Sequence, residues 1–122
     1  MIVSDQDRSR EFYVDLLDAS VVRERDPVVL RLGGAWLILN GAGGPTPDKP
    51  GLSAAPPSDM SVFSAALNLR VADVQAMWKA LSAKGAQFLT APIDRGPEIR
   101  CFLRDPDGHL IELGQATRLV RC

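Results

Sequence analysis

The chain is short of several residue types, and each shortage removes a class of function. It has a single histidine, His109, among its 122 residues, so one copy cannot assemble the two-histidine, one-carboxylate iron site of non-haem oxygenases. Its two cysteines are too few for a disulfide framework. Cys101 lies inside an apolar run and is expected buried and free, whereas Cys122, the last residue, is expected exposed and frayed. Charge of one sign is also lacking: the net charge is −1, and no Arg/Lys stripe stands out, which argues against nucleic acid as a partner. No apolar stretch approaches the roughly 20 residues of a membrane span. Met1-Ile2-Val3 is too short for the apolar core of a signal peptide and is followed at once by charges, so no membrane partner and a cytoplasmic location are expected.

What remains is the make-up of an ordinary globular domain, 46% hydrophobic and 24% charged, long enough for a proper core. The stretch around which it is organised is Arg104-Asp105-Pro106-Asp107-Gly108-His109-Leu110-Ile111-Glu112-Leu113. Pro106 presets φ for the first corner of a type I turn, and Gly108 supplies the positive φ that closes it. Apolar runs flank this turn, so Asp107-Gly108 reads as the tip of a hairpin. Alternation along the second strand sends Leu110, Glu112 and Gly114 to one face and His109, Ile111 and Leu113 to the other. One carboxylate among apolar neighbours is either a ligand-site group or the solvated half of an edge strand.

In chain order, Met1-Ile2-Val3 is the stub of a strand, and Ser4-Asp5-Gln6-Asp7 carries N-cap chemistry for a helix from about Gln6 to Leu17. Phe12 and Leu16, with Tyr13 and Leu17 beside them, form its expected apolar stripe. Ser20 to Arg25, Val28 to Leu32 and Ala35 to Leu39 read as strands, the first two parted by the turn signal Asp26-Pro27. Residues 1–40 are thus a β-α-β-β-β module. Residues 41–62 are a Gly- and Pro-rich connection without strand or helix periodicity, expected to run as an extended strap. Residues 63–122 repeat the pattern within what is expected to be one folded domain. Ala65 to Val71 alternates as a strand, and Asp73 caps a helix that ends at Lys84-Gly85, with Val74, Met77, Trp78 and Leu81 as its buried face. Gln87 to Thr90, Glu98 to Arg104 and His109 to Gln115 are the closing strands. Val3-Ser4-Asp5 matches Val71-Ala72-Asp73, and Gly34 matches Gly108, so an internal duplication is the simplest account.

Those paired motifs, with Ser9, Phe12-Tyr13, Lys84-Gly85-Ala86 and Asp105 to Glu112, resemble the vicinal oxygen chelate superfamily of glyoxalases, bleomycin-resistance proteins and extradiol dioxygenases. The resemblance implies an α+β fold in which two βαβββ modules form a curled, cup-shaped mixed sheet, helices outside, with a small-molecule ligand in the concavity. It also implies a homodimer. In metal-dependent relatives four positions line the cup, on the first, fourth, fifth and eighth strands. Here Glu112 fills the eighth-strand position, while the fifth-strand position is Ala66, the fourth-strand one is Ile38, and the first-strand one would lie before Met1. No metal ligand set and no cofactor are therefore expected, a divalent metal being disfavoured. His109 lies three residues from Glu112, on the opposite face of its strand, and cannot grip the same ion.

Alternation assigns the cup lining, and on the strand Glu98 to Arg104 it sends Glu98, Arg100, Phe102 and Arg104 inward. Trp36 and Phe102 supply apolar walls, and Asn68, Arg70, Arg100 and Glu112 supply polar groups, the mixture of a binding pocket. Arg70 or Arg100 either neutralises Glu112 or presents its fork to a carboxylate or phosphate of a ligand. Three functions stay open: a metal-free protein that binds a small organic molecule, a glyoxalase-like lyase or isomerase with Glu112 as general base or sole retained metal ligand, and a non-catalytic dimerisation module.

Overall fold

A computed structural model describes residues 1–117; Cys122, expected to be exposed, lies outside the described residues. The elements run β1 (Ile2–Val3), α1 (Gln6–Leu17), β2 (Ser20–Arg23), β3 (Val28–Leu32), β4 (Ala35–Gly41), β5 (Ala66–Arg70), α2 (Val74–Ala83), β6 (Gln87–Phe88), β7 (Ile93–Asp94), β8 (Glu98–Arg104) and β9 (Leu110–Ala116). They form two compact units. One is Met1–Met60 together with Pro106–Gly108, and the other is Ser61–Asp105 together with the residues from His109 on.

Each unit has one helix and one mixed sheet, so the α+β class holds. In the first unit the strand order is β1-β4-β3-β2, with β1 parallel to β4 and the other pairs antiparallel. The second repeats it as β5-β9-β8-β6, with β5 parallel to β9. The repetition reaches down to register. Val3 pairs with Gly41, and its counterpart Val71 continues the ladder just past Arg70–Gly114, donating its N–H to the Gly114 carbonyl at 2.9 Å. Capping repeats as well. Asp5 accepts from Arg8 N at 3.1 Å and Asp73 from Ala76 N at 3.0 Å, so each helix start has its exposed amide answered by a carboxylate.

The core of the first unit forms where α1 lies on β3 and β4, burying Tyr13, Leu17, Val28, Leu30, Leu37 and Leu39. The helix is turned by one residue from the expected stripe. Ser9, Tyr13 and Leu17, at four-residue spacing, are its buried line, and Phe12 and Leu16 are only half-buried. The reason is polar: the Ser9 hydroxyl has a carboxylate partner inside, described below, which a stripe drawn from apolar residues alone overlooks. Phe12 is still used, packing edge-on against Tyr13 with ring centroids 5.0 Å apart. In the second unit α2 contacts β8 and β9. Val74, Leu81, Cys101, Leu103, Ile111 and Leu113 are buried there, and Met77 and Trp78 are half-buried. Gly85 closes α2 at φ +91°, a left-handed conformation that a side chain disfavours.

Two segments differ from expectation. The strand expected over Gln87 to Thr90 is shortened to Gln87 and Phe88, which pair with Arg104 and Leu103, and an unexpected strand, β7, follows with Ile93 and Asp94 opposite Arg100 and Ile99. Pro92 falls in the gap, where a residue without an N–H cannot extend a ladder. The connection after β4 is not a plain strap either. It doubles back on itself, Gly43 and Ala54 exchanging backbone hydrogen bonds of 3.0 and 2.7 Å, with a tighter bridge between Thr46 and Lys49 inside.

Cys101 is 1% exposed, and burial pushes its thiol up to about 11. In a Cys122→Ser variant the remaining thiol is expected to resist iodoacetamide near about pH 8 while the protein is folded, and to react readily in urea. Equal rates in the two states would contradict this placement. The raised value also means the folded state holds that proton longer than the unfolded one. This contribution to stability is whole below pH 9.0 and is lost as pH rises toward about 11.

Candidate functional site

Three strands of the second unit present one face on which the expected polar groups meet. Register sets them in rows. Asn68, Glu112 and Phe102 stand side by side across β5, β9 and β8, and Arg70, Gly114 and Arg100 form the next row. Within the first row Asn68 Nδ2 donates to Glu112 Oε2 at 3.0 Å. An ionised carboxylate only accepts, so the amide must turn its NH2 toward it. Glu112 is half-buried and, among the described residues, has this one neutral donor and no cation within ion-pair distance.

The arginines serve a different carboxylate. Arg70 Nη1 donates to Glu98 Oε2 at 3.2 Å, and Arg100 Nη1 lies 3.9 Å from Glu98 Oε1. Neutralisation of Glu112 by Arg70 or Arg100, one of the two roles open from the sequence, is therefore not what these side chains do; Glu98 takes both. Gly114 explains the choice. A Cβ there would collide with the Arg70 guanidinium, so the bare glycine leaves the trough through which Arg70 crosses β9 to reach β8. Arg100 also lies over the Phe102 ring, 5.6 Å from its centroid, a contact worth about 0.5–1 kcal/mol at such a partly exposed position. Its guanidinium makes no hydrogen bond among the described residues and its side chain is 38% exposed. Glu98 shares the phase of Arg100 and Phe102 along β8, and that alternation is the signal by which it belongs with the site.

The remaining expected lining residue is Trp36. It stands on β4 of the first unit, 57% exposed, with the Arg31 guanidinium 5.2 Å from its ring centroid. Ile38 shares its face, while Leu37 and Leu39 point into the core. The structure thus brings together Asn68, Arg70, Arg100, Phe102 and Glu112, with Glu98 added. Trp36 is a residue of the other unit.

The donors on this face do not fit a divalent-metal centre. Ala66 pairs with Leu110, one row from Glu112, and offers a methyl group. Among the described residues no three His, Cys, Asp or Glu side chains converge to hold an ion, whereas a catalytic zinc takes three protein ligands. The first unit has a separate polar cleft of about 340 Å³ between the start of α1 and the β2–β3 turn. Two of its three carboxylates are committed: Asp5 caps α1, and Asp7 accepts from Arg25 at 2.7 and 3.0 Å and from Arg10 at 3.0 Å, while Asp26 uses its backbone N–H to donate to Gln6. The Arg25 hydrogen bond holds the Asp7 carboxyl below its ordinary range.

Asp107, in the turn before β9, holds the start of α1 in place. Its carboxylate accepts from Ser4 N at 3.1 and 3.2 Å, from Ser4 Oγ at 2.6 Å, and from Arg8 Nη2 and Ser9 Oγ at 3.4 Å. The turn residue is thus an anchor for the start of α1, which makes it structural rather than part of the candidate site.

Comparison with known proteins agrees with this architecture. The family model described as Glyoxalase/Bleomycin resistance protein/Dioxygenase superfamily matches residues 1–113. Among solved structures, TioX from Micromonospora sp. ML1 is similar at 20% identity and a TM-score of 0.74, covering 95% of this chain and 94% of its own. A glyoxalase/bleomycin resistance protein/dioxygenase from Nocardioides is similar at 19% identity and a TM-score of 0.75, covering 99% of this chain and 85% of its own. One from Alicyclobacillus acidocaldarius is similar at 20% identity and a TM-score of 0.74, covering 97% and 88%. No curated protein matches the sequence. Two units with the same order of paired strands and matching register, and a family match over nearly the whole length, lead to one conclusion: the chain belongs to the glyoxalase/bleomycin resistance protein/dioxygenase superfamily.

Proposed function

We propose that the chain binds a small organic molecule on the β5–β9–β8 face without a metal, and does so as a homodimer in the cytoplasm. The observation that supports binding is Glu112, a half-buried carboxylate with one neutral hydrogen-bond donor and no ion-pair partner among the described residues. A group taken partly out of water in this way gains from a further donor. Asn68 fixes its orientation, Phe102 supplies apolar surface, and Arg100 supplies an unfilled fork, so recognition needs no metal. Glu112 can also take a proton from a bound molecule. That is the glyoxalase-like lyase or isomerase reading, and it uses the same residue on the same face.

Native mass spectrometry of the protein after incubation with a small-molecule cell extract tests the reading. The wild type is expected to retain a compound that Glu112→Gln loses by about tenfold or more, the cost of removing a charge-assisted hydrogen bond. Both proteins are expected to melt within a few degrees of each other, since one exposed-face substitution changes stability little. Retention by the Gln variant at wild-type level would overturn the assignment of Glu112.

A further inference from the structure

The proposed binding face holds five charged side chains, Arg70, Arg100, Arg104, Glu98 and Glu112, and they do not cancel in pairs. Arg70 is hydrogen-bonded to Glu98, and Arg104 has contacts of its own. Arg100 meets Glu98 only as a 3.9 Å ion pair without a hydrogen bond, so the N–H groups of Arg100 and the carboxylate of Glu112 are left to a ligand. They sit on adjacent strands as diagonal neighbours, because Phe102 is the residue directly opposite Glu112 and Arg100 is two positions along β8. Diagonal neighbours of this kind lie about 7–8 Å apart at the backbone. Flexible side chains could close that distance, but these two stay apart: each has another occupation, Arg100 stacked over Phe102 and Glu112 hydrogen-bonded to Asn68. The result is a guanidinium without a hydrogen bond and a carboxylate without an ion-pair partner among the described residues, on one face with an aromatic ring beside them.

From this arrangement we infer that the ligand of this face is a small zwitterion, with an anionic group received by the Arg100 guanidinium and an ammonium or comparable donor received by Glu112. The inference rests on the binding role proposed above and adds the charge class of the ligand. Hydrogen bonds of about 2.7–2.9 Å at each end let a molecule with the charge separation of an α-amino acid bridge the two side chains. A purely anionic ligand would leave Glu112 facing like charge, and a purely cationic one would do the same to Arg100. Either mismatch leaves a partly desolvated charge without its complement. The apolar part of the ligand rests against Phe102 and the Ala66 methyl, which share this face.

The test is a titration with four compounds that share a phenyl ring and a short chain: L-phenylalanine, phenethylamine, hydrocinnamate and the neutral phenethyl alcohol. Binding is followed through the Asn68 side-chain amide and Arg100 Nε–H resonances. L-phenylalanine is expected to bind about tenfold or more tightly than either singly charged compound, the value of one charge-assisted hydrogen bond. Arg100→Gln is expected to reduce it to the level of phenethylamine, and Glu112→Gln to that of hydrocinnamate. If a singly charged compound matches L-phenylalanine in the wild type, the zwitterion is overturned whatever the variants do. If all four, the alcohol included, move these resonances alike, the face binds but its charges do not select, so the inference fails and the binding role stands. If none moves them and the extract compound is also absent, both fail.

Discussion

Replacing Asp107 with alanine is expected to destabilise the fold by about 2–4 kcal/mol, the cost of removing a buried, charge-assisted acceptor and leaving its donors behind. Its carboxylate is 4% exposed and collects the Ser4 amide, the Ser4 and Ser9 hydroxyls and one Arg8 nitrogen. Ser9 is buried, so its hydroxyl loses this partner where water does not readily replace it. The Arg8 side chain is half exposed, which keeps the ionic part of the loss small and places most of it in the serine contacts. Asp107→Asn keeps one acceptor oxygen and should cost about half as much. Urea titration of the three proteins checks the order. An alanine variant within about 0.5 kcal/mol of wild type, the range of an ordinary surface change, would show that the turn anchors nothing.

Leu103→Ala is expected to cost about 2–5 kcal/mol, and Ile38→Ala under about 1 kcal/mol, although each substitution removes part of an aliphatic strand residue. Leu103 is fully buried on β8, on the face covered by α2, between strand neighbours that cannot collapse into the space left. Ile38 is 44% exposed on β4, so water fills what the side chain vacates. The comparison measures alternation itself. If the two costs were equal, one of the two sheets would have its faces assigned the wrong way round.

Much of the candidate site was legible because a strand leaves side chains only two directions. Once β9 was bracketed by Pro106-Asp107-Gly108 and the apolar run after it, Leu110, Glu112 and Gly114 had to share a face. Asn68, Arg70, Arg100 and Phe102 joined them by the same period on β5 and β8. The two helices were legible from Asp5 and Asp73, whose carboxylates answer the free amides at each helix start. The duplication was legible from the matching caps and the paired glycines.

Other features depended on distances that no spacing along the chain contains. Arg70 could have turned to Glu112 or to Glu98, and alternation offers both. The missing side chain of Gly114, on a strand between them, opens the route to Glu98. The rotation of α1 was decided in the same way, by a carboxylate 98 residues away in sequence that Ser9 meets only after folding. Sequence alone therefore determined which faces the side chains of β5, β8 and β9 take and where the two helices start, because those follow from backbone geometry over a few residues. Only the tertiary structure decided which charges pair and which stay open, because a charge responds to whatever lies within a few ångströms, however far apart the residues are in the chain.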